Sequence, residues 1–136
     1  MINTPLFKRA LGLLFIIGLM DLVAEFFYLH WALWWYDVIL HFLAGGLIGL
    51  TVLIIWNTFY GFSDNDKIKI VMVVFLSSLI IGVLWEIFEL SFNITSLSDG
   101  IIYIRDTCSD LLMDTTGGFF GSLYAMKILS RQNSNG

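Results

Sequence analysis

Four long apolar segments dominate the sequence and decide what the chain can fold into. They cover about residues 6–29, 38–60, 68–92 and 107–129. Each reaches the length of about 20 residues that a helix needs to cross a hydrocarbon core ~30 Å thick. Backbone polar groups in lipid must be satisfied within each segment, so each one predicts a helix. The expected fold is all-α: a single domain of residues 1–136 that forms a four-transmembrane-helix bundle.

The composition excludes a soluble protein of this size. Of the 136 residues, 58% are hydrophobic and only 13% are charged. A soluble domain this short cannot bury that much apolar surface in one core, whereas a bilayer solvates it from outside. We therefore expect a multi-pass protein of the plasma or inner membrane, with membrane lipid as a partner and no nucleic acid. The single cysteine, Cys108, excludes an internal disulfide.

The basic residues predict the orientation of the bundle. All but one of them fall at the same predicted membrane face: Lys8, Arg9, Lys67, Lys69, Lys127 and Arg131. By the positive-inside rule this face is cytoplasmic, which places both termini in the cytoplasm. The opposite face has Arg105 and an aromatic group that is typical of a membrane interface, formed by Trp31, Trp34, Trp35 and Tyr36. The tail, residues 130–136, is expected to be disordered.

Acidic side chains collect at the face opposite the basic residues. Helices that alternate in direction bring all of the intramembrane acids to this half, together with one histidine: Asp21 and Glu25, Asp37 and His41, Glu86 and Glu89, and Asp106, Asp110 and Asp114. At ~100° per residue, positions three or four apart share one helix face. Each polar pair therefore forms a stripe, and small residues such as Gly45, Gly82 and Gly117 continue these stripes deeper into the membrane.

The cost of burying these charges points to a bound cation. An ionised carboxylate near the bilayer centre costs ~2.5–3.5 kcal/mol, and gathered carboxylates repel one another. Most basic side chains are predicted on the other face, so protons or a metal ion must compensate. We favour a divalent metal, because bundles build carboxylate and imidazole sites from such pairs. Oxygen ligands favour Mg²⁺, Mn²⁺ or Ca²⁺, and the imidazole keeps Zn²⁺ and iron open. The predicted ligands are Asp37, His41, Glu86, Glu89, Asp106, Asp110 and Asp114, with Asp21 and Glu25 as a further polar site.

Taken one at a time, several of these residues have simpler interpretations. Asp37 and Asp106 fit helix N-caps, and Thr107 with Asp110 fits a capping box. Asp21 and Glu25 could be a protonated, hydrogen-bonded pair that joins helices. Their joint position on four helix ends favours the site.

Three segments resemble the motifs of a known family. "YDVILHF" (residues 36–42), "LWEIFEL" (84–90) and "DTCSDLLMDTTGG" (106–118) are similar, in this order, to motifs of the YjdF-like family of small multi-spanning membrane proteins. A more distant similarity is to VanZ-like proteins, which are associated with glycopeptide resistance. The resemblance implies a multi-spanning membrane protein and selects Asp37, His41, Glu86, Glu89, Asp106, Asp110, Asp114 and Gly117 as its motif residues.

Three functions remain open from the sequence. The first is a metal-dependent hydrolase or transferase of lipid-linked phosphates, with Glu86 as the base. The second is a cation or proton transporter that uses the intramembrane carboxylates. The third is a non-catalytic protein in which metal staples a bundle that binds lipid or a partner. A homodimer through Gly45, Gly46 and Gly49 also stays open.

Overall fold

The computed structural model describes residues 4–134, without the side chains of residues 30, 31, 133 and 134. These residues form five α-helices: α1 (Pro5–Phe27), α2 (Leu29–Ala32), α3 (Trp34–Phe59), α4 (Lys67–Ser91) and α5 (Ile101–Ser134). Short 3₁₀ helices at Asp64–Asp66 and Leu97–Asp99 precede α4 and α5. Since α2 is a single turn, the bundle has four long helices. The described residues contain no strand, and the predicted all-α fold is confirmed.

Three stretches are long and apolar enough to cross a membrane by length and composition: Pro5–Phe27, Trp34–Phe59 and Asp64–Ser91. The fourth long helix, α5, is not among them, and its 34 residues carry Arg105 and three aspartates in their first half. Large apolar side chains such as Phe15, Phe26 and Leu84 are exposed on the outside of the bundle. This surface suits contact with lipid.

The two ends of the bundle differ in charge. One buried cluster joins the start of α1, the end of α3, the start of α4 and the end of α5. It contains Leu6, Leu53, Ile70 and Leu129, in that order of helices. The helix ends that carry Lys8, Arg9, Lys67, Lys69, Lys127 and Arg131 therefore lie together, and we call this the basic end. The acidic end is the opposite one, where α3 and α5 begin and α4 finishes. That the basic end faces the cytoplasm stays a prediction.

Glycines allow α3 and α5 to pack with their backbones in contact. A Cβ on Gly45 of α3 would overlap the backbone carbonyl of Asp114, and a Cβ on Gly117 of α5 would overlap the carbonyl of Phe42. One turn further on, a Cβ on Gly49 would lie 2.8 Å from the backbone nitrogen of Ser122. Such approach is open only to residues without a side chain. The same contact changes the interpretation of the glycines: Gly45 and Gly49 are buried against α5 of their own chain, so they cannot form the predicted dimer surface.

Local signals explain how α1 begins and ends. The Thr4 side chain accepts a hydrogen bond from the backbone N–H of Phe7, and Pro5 occupies the first helical position. Both features favour a helix start. At the other end Tyr28 adopts a left-handed conformation with φ 56°. Its backbone N–H donates hydrogen bonds to the carbonyls of Ala24 and Glu25 in the last turn. The chain then enters α2 and α3 with almost no connecting loop.

The helix bounds differ from the predicted ones mainly in α3 and α5. α3 begins at Trp34 rather than near residue 38, and α5 begins at Ile101 rather than near residue 107. Gly100, with φ 58°, turns the chain directly into α5, so the segment "IIYI" is helical. The prediction of a disordered tail is wrong for residues 130–134, because α5 continues to Ser134 and carries Arg131 in its last turn, where a cation stabilises the helix dipole. Residues 135–136 lie outside the described part.

The aromatic residues at the acidic end divide into two kinds. Trp34 and Trp35 are exposed, as expected for interfacial anchors. The prediction was wrong for Tyr36, which is buried and donates its hydroxyl to the carbonyl of Met20 in α1 over 2.9 Å. The side chain of Trp31 lies outside the described residues. Tyr36 therefore joins α1 to α3.

The close contact between α3 and α5 predicts unequal effects of two neighbouring substitutions. Gly45→Ala should lower the free energy of unfolding by about 1–3 kcal/mol, because the new methyl group meets backbone that cannot rotate away. Gly46→Ala is the matched control, since the nearest atom to its Cβ would be 3.8 Å away. The measurement is thermal or denaturant unfolding of both variants in the same detergent. Equal stability of the two variants would contradict the described packing.

Candidate metal centre

Two residues of α3 begin the site. Asp37 lies in the first turn of α3, where the helix dipole favours a carboxylate, and His41 follows one turn later on the same face. An Asp37 carboxylate oxygen lies 3.8 Å from Nε2 of His41. His41 is buried, with 8% of its surface exposed, whereas the Asp37 side chain stays 30% exposed. The pair therefore reaches from the mouth of the acidic end into the bundle.

Two aspartates of α5 face this pair. Asp110 and Asp114 are each only 4% exposed, which is uncommon for a carboxylate unless it is paired. Their position follows from the helix contact, because the backbone of Asp114 packs directly on Gly45, one turn after His41. The oxygen Oδ1 of Asp114 lies 3.3 Å from Nδ1 of His41. The imidazole is thus held between carboxylates at both ring nitrogens.

Asp110 completes a compact group of possible metal ligands. One carboxylate oxygen each from Asp37 and Asp110 and one ring nitrogen of His41 all lie within 4.8 Å of one another. We call these three residues the Asp–His–Asp group. Within the described part of the chain they are the one set of three acidic, histidine or cysteine side chains that meet this criterion.

The helix α4 closes the group from a third side. Glu86 is buried, with 7% exposure, and its carboxylate accepts a hydrogen bond of 2.6 Å from the hydroxyl of Thr107 in α5. One turn away, a Cβ on Gly82 would lie 2.7 Å from Oδ2 of Asp114. The absence of a side chain at Gly82 therefore leaves the space that the Asp114 carboxylate occupies. Asp110 also lies within electrostatic range of Glu86.

The other predicted site residues are placed differently. Glu89 is half-buried and accepts a hydrogen bond of 3.0 Å from the indole N–H of Trp85. Asp106 is exposed on α5, one turn before Asp110. Asp21 and Glu25 have exposed side chains on α1, and the Asp–His–Asp group includes neither of them. The described geometry thus concentrates the site on α3, α4 and α5.

A family model with the description "Predicted membrane protein (DUF2238)" matches residues 3–131. The chain belongs to this family. The match agrees with the YjdF-like resemblance of the three motifs and extends it to the first helix. No curated protein matches the chain significantly. No solved structure does so either.

The family match gives no support to the second resemblance, to VanZ-like proteins, which stays a prediction. The DUF2238 match spans the whole bundle, so all of the residues of the Asp–His–Asp group, together with Glu86 and Asp114, lie within the family region. The three motifs that carried the YjdF-like resemblance are the ones that α3, α4 and α5 bring together at the acidic end.

The capping interpretations of individual residues are wrong. Leu33 is the N-cap of α3, so Asp37 lies inside the helix. Since α5 begins at Ile101, Asp106 and Thr107 also lie inside a helix and cap nothing. The hydroxyl of Thr107 instead binds Glu86 on the neighbouring helix.

Thr107 was not predicted as a site residue from the sequence, which indicated a role in a capping box instead. It precedes Asp110 by three residues, so it shares the polar face of α5. That spacing was the available signal, but the same spacing also fits a capping box. Only the position of α4 shows that the hydroxyl faces a buried glutamate.

The bond between Thr107 and Glu86 predicts a difference between two conservative variants. Thr107→Val keeps the shape of the side chain but removes the donor to a buried carboxyl, and should lower the free energy of unfolding by about 1.5–3 kcal/mol. Thr107→Ser restores the hydroxyl and should recover most of that loss. Unfolding measured in one detergent distinguishes the two. A Thr107→Val variant as stable as the wild type would contradict the bond.

Proposed function

We propose that the Asp–His–Asp group binds a divalent metal ion and that the protein is a metal-dependent hydrolase or transferase of lipid-linked phosphates. The ligands would be Asp37, His41 and Asp110. The single observation that carries this proposal is the arrangement of the His41 ring, which has Asp114 at Nδ1 and Asp37 at Nε2. A carboxylate on the far nitrogen of a histidine is the usual partner of a metal-binding imidazole.

The hydrogen-bonding capacity of the groups explains why this arrangement suits a metal. An ionised carboxylate only accepts hydrogen bonds, so Nδ1 of His41 must donate to Asp114. In the neutral ring the proton on Nδ1 leaves a lone pair on Nε2, the nitrogen that lies 3.8 Å from Asp37. Asp114 would therefore orient the ligand rather than bind the ion.

The donor set also fits a divalent ion in size and chemistry. Two ligands on an ion with bonds of ~2.1 Å lie roughly 3.0–3.4 Å apart, and the distance between Nε2 of His41 and Oδ2 of Asp37 is 3.8 Å. All three ligand atoms lie within 4.8 Å of one another, so an ion would draw them inward from these distances. Two carboxylates and one imidazole suit Mg²⁺, Mn²⁺, Ca²⁺ or Zn²⁺. The ion would also offset the charge of the carboxylates that gather around His41.

An open coordination sphere favours catalysis over a purely structural metal. Structural sites are usually closed by four protein ligands, whereas three ligands leave a position for water or substrate. A bound divalent ion supplies Lewis-acid polarisation of a phosphoryl oxygen. Glu86 would accept the proton of the attacking water or alcohol, because Thr107 occupies Oε2 and leaves Oε1 for this role. The membrane environment favours a substrate that carries a lipid chain.

The packing beyond the site argues against a transport path. Towards the basic end, the hydroxyls of Ser78 and Ser122 are the next buried polar groups after Asp114, and both are fully buried. Beyond them lies the apolar cluster that contains Leu53, Val74 and Ala125. A proton or cation would have to cross this cluster without a polar partner. The one-sided position of the acids thus supports a site that opens at one membrane face.

Metal content tests the proposal directly. We expect about one divalent ion per purified chain by elemental analysis, and single substitutions Asp110→Asn and His41→Gln should each reduce it strongly, since each removes one of three ligands. Asp99→Asn is the control, because Asp99 is an exposed acid in the loop at the same end. Metal-free wild-type protein, or equal loss in the control, would refute the metal centre.

Asp114 is expected to affect the metal through His41. Asp114→Asn should weaken metal affinity by roughly 10–100-fold while keeping the same stoichiometry at saturation, because the ring loses its orienting carboxylate but keeps its ligand atom. Competition with a metal-binding dye measures the affinity. Complete loss of the ion at saturation would instead make Asp114 a ligand, and unchanged affinity would remove its orienting role.

The reaction needs its own experiment. Phosphate release from phosphatidic acid and from a polyprenyl diphosphate in mixed micelles should be lost when a chelator removes the metal, should return when the metal is added back, and should be lost in Glu86→Gln. Metal binding without phosphate release from either substrate would favour the non-catalytic alternative. Cation or proton flux in vesicles that Asp114→Asn abolishes would favour transport.

A further inference from the structure

A groove runs along the outside of the bundle between α1, α3 and α5. Its volume is about 430 Å³, and apart from Arg9 and Tyr124 it is lined by glycines and apolar side chains, among them Gly12, Phe42 and Gly46. Its lining includes neither Glu86 nor any residue of the Asp–His–Asp group, so it is a separate cavity. We call it the α1 groove.

Missing side chains create the α1 groove. A Cβ on Gly12 would meet no atom within 4 Å, and the nearest atom to a Cβ on Gly46 would be 3.8 Å away. These two glycines are therefore not required for close helix packing, in contrast to Gly45. They leave open space between α1 and α3 at the level of the hydrocarbon core.

A single cationic side chain lies at the basic end of the groove. The guanidinium of Arg9 donates a hydrogen bond to the hydroxyl of Tyr124 and lies 5.3 Å from the centre of that ring. Tyr124 fixes the guanidinium at the end of the groove and leaves most of its five N–H donors available. Lys8 is adjacent in sequence, and Lys127 follows Tyr124 by one helical turn. The groove is thus apolar along its length and positively charged at one end.

We propose that the α1 groove binds one acyl chain of an anionic glycerophospholipid, with the lipid phosphate at Arg9. The apolar lining matches the chain, and the guanidinium matches a phosphate in bidentate geometry. The exposed guanidinium at one end of an apolar groove favours a molecule with an anionic head and a long apolar chain over an apolar partner helix. The lipid would belong to the leaflet at the basic end, on the opposite side from the proposed metal.

Native mass spectrometry of the detergent-purified chain tests this proposal with two probes, phosphatidylglycerol and phosphatidylcholine. The wild type should retain one lipid and prefer phosphatidylglycerol. A Cβ on Gly12 meets no atom within 4 Å, so Gly12→Leu is expected to extend into the groove and should retain neither. Gly18→Leu is the matched control: Gly18 is on the same helix, also has no atom within 4 Å of a Cβ, and does not line the groove.

The charge contribution is tested separately. Arg9→Gln should lower the preference for phosphatidylglycerol about fivefold, and Arg9→Lys should keep most of it, because a basic residue near an anionic headgroup contributes about that factor. Far-UV circular dichroism and melting in detergent verify that the variants fold.

Three outcomes would overturn the lipid site. The first is lipid retention by Gly12→Leu equal to that of the wild type. The second is equal loss in Gly18→Leu, which would indicate non-specific association. The third is a wild-type dimer that Gly12→Leu dissociates, which would assign the groove to a second copy. Metal content is measured on the same samples, so failure of the lipid site and failure of the metal centre are told apart.

Discussion

The backbone contact between α3 and α5 is the constraint on which the rest of the molecule depends. Gly45 and Gly117 each present no side chain to a carbonyl of the opposite helix, so the two axes approach more closely than larger residues permit. This contact sets the level of α5 relative to α3. As a result, Asp114 reaches Nδ1 of His41, and a carboxylate oxygen of Asp110 comes within 4.8 Å of a ring nitrogen and of an Asp37 oxygen. Without it, the acids of α5 would face lipid at a cost of several kcal/mol.

Burial of several acids around one histidine makes the acidic end an unusual place in a membrane bundle. The surrounding structure reduces the cost through specific contacts: His41 between two carboxylates, Thr107 on Glu86, and the indole of Trp85 on Glu89. Gly82 leaves room for the Asp114 carboxylate on the side of α4. The arrangement is therefore built by three helices, and each one contributes both a polar group and a small residue that admits a neighbour's polar group.

The proposed metal ion and the proposed lipid occupy different parts of the bundle. Their sites depend on different properties of glycine. At the acidic end, Gly45 and Gly82 permit close approach, so a larger residue would displace the carboxylates. Along the outer face, Gly12 leaves open space, and a Cβ on Gly46 would meet its nearest atom only at 3.8 Å. A cation at one end and an anionic lipid near the other would each sit beside residues of opposite charge. The family match covers both regions, since it extends over residues 3–131.

The sequence alone determined the all-α fold, the four long helices and the gathering of acids at one end. The fold and the helices follow from the hydrophobicity and length of each segment by itself. The gathering of acids follows from the order of the segments, because successive helices alternate in direction. Both α3 and α5 begin earlier than the sequence predicts. The start of α5 depends on the turn at Gly100, and the first turn of α3 is joined to α1 by the hydrogen bond of Tyr36. Which acids meet was decided only by tertiary structure. Asp110 and Asp106 are one turn apart on the same helix, yet one is buried beside His41 and the other is exposed, because burial depends on where α3 and α4 cross α5. A helical period places side chains on a face, but it does not say what that face contacts.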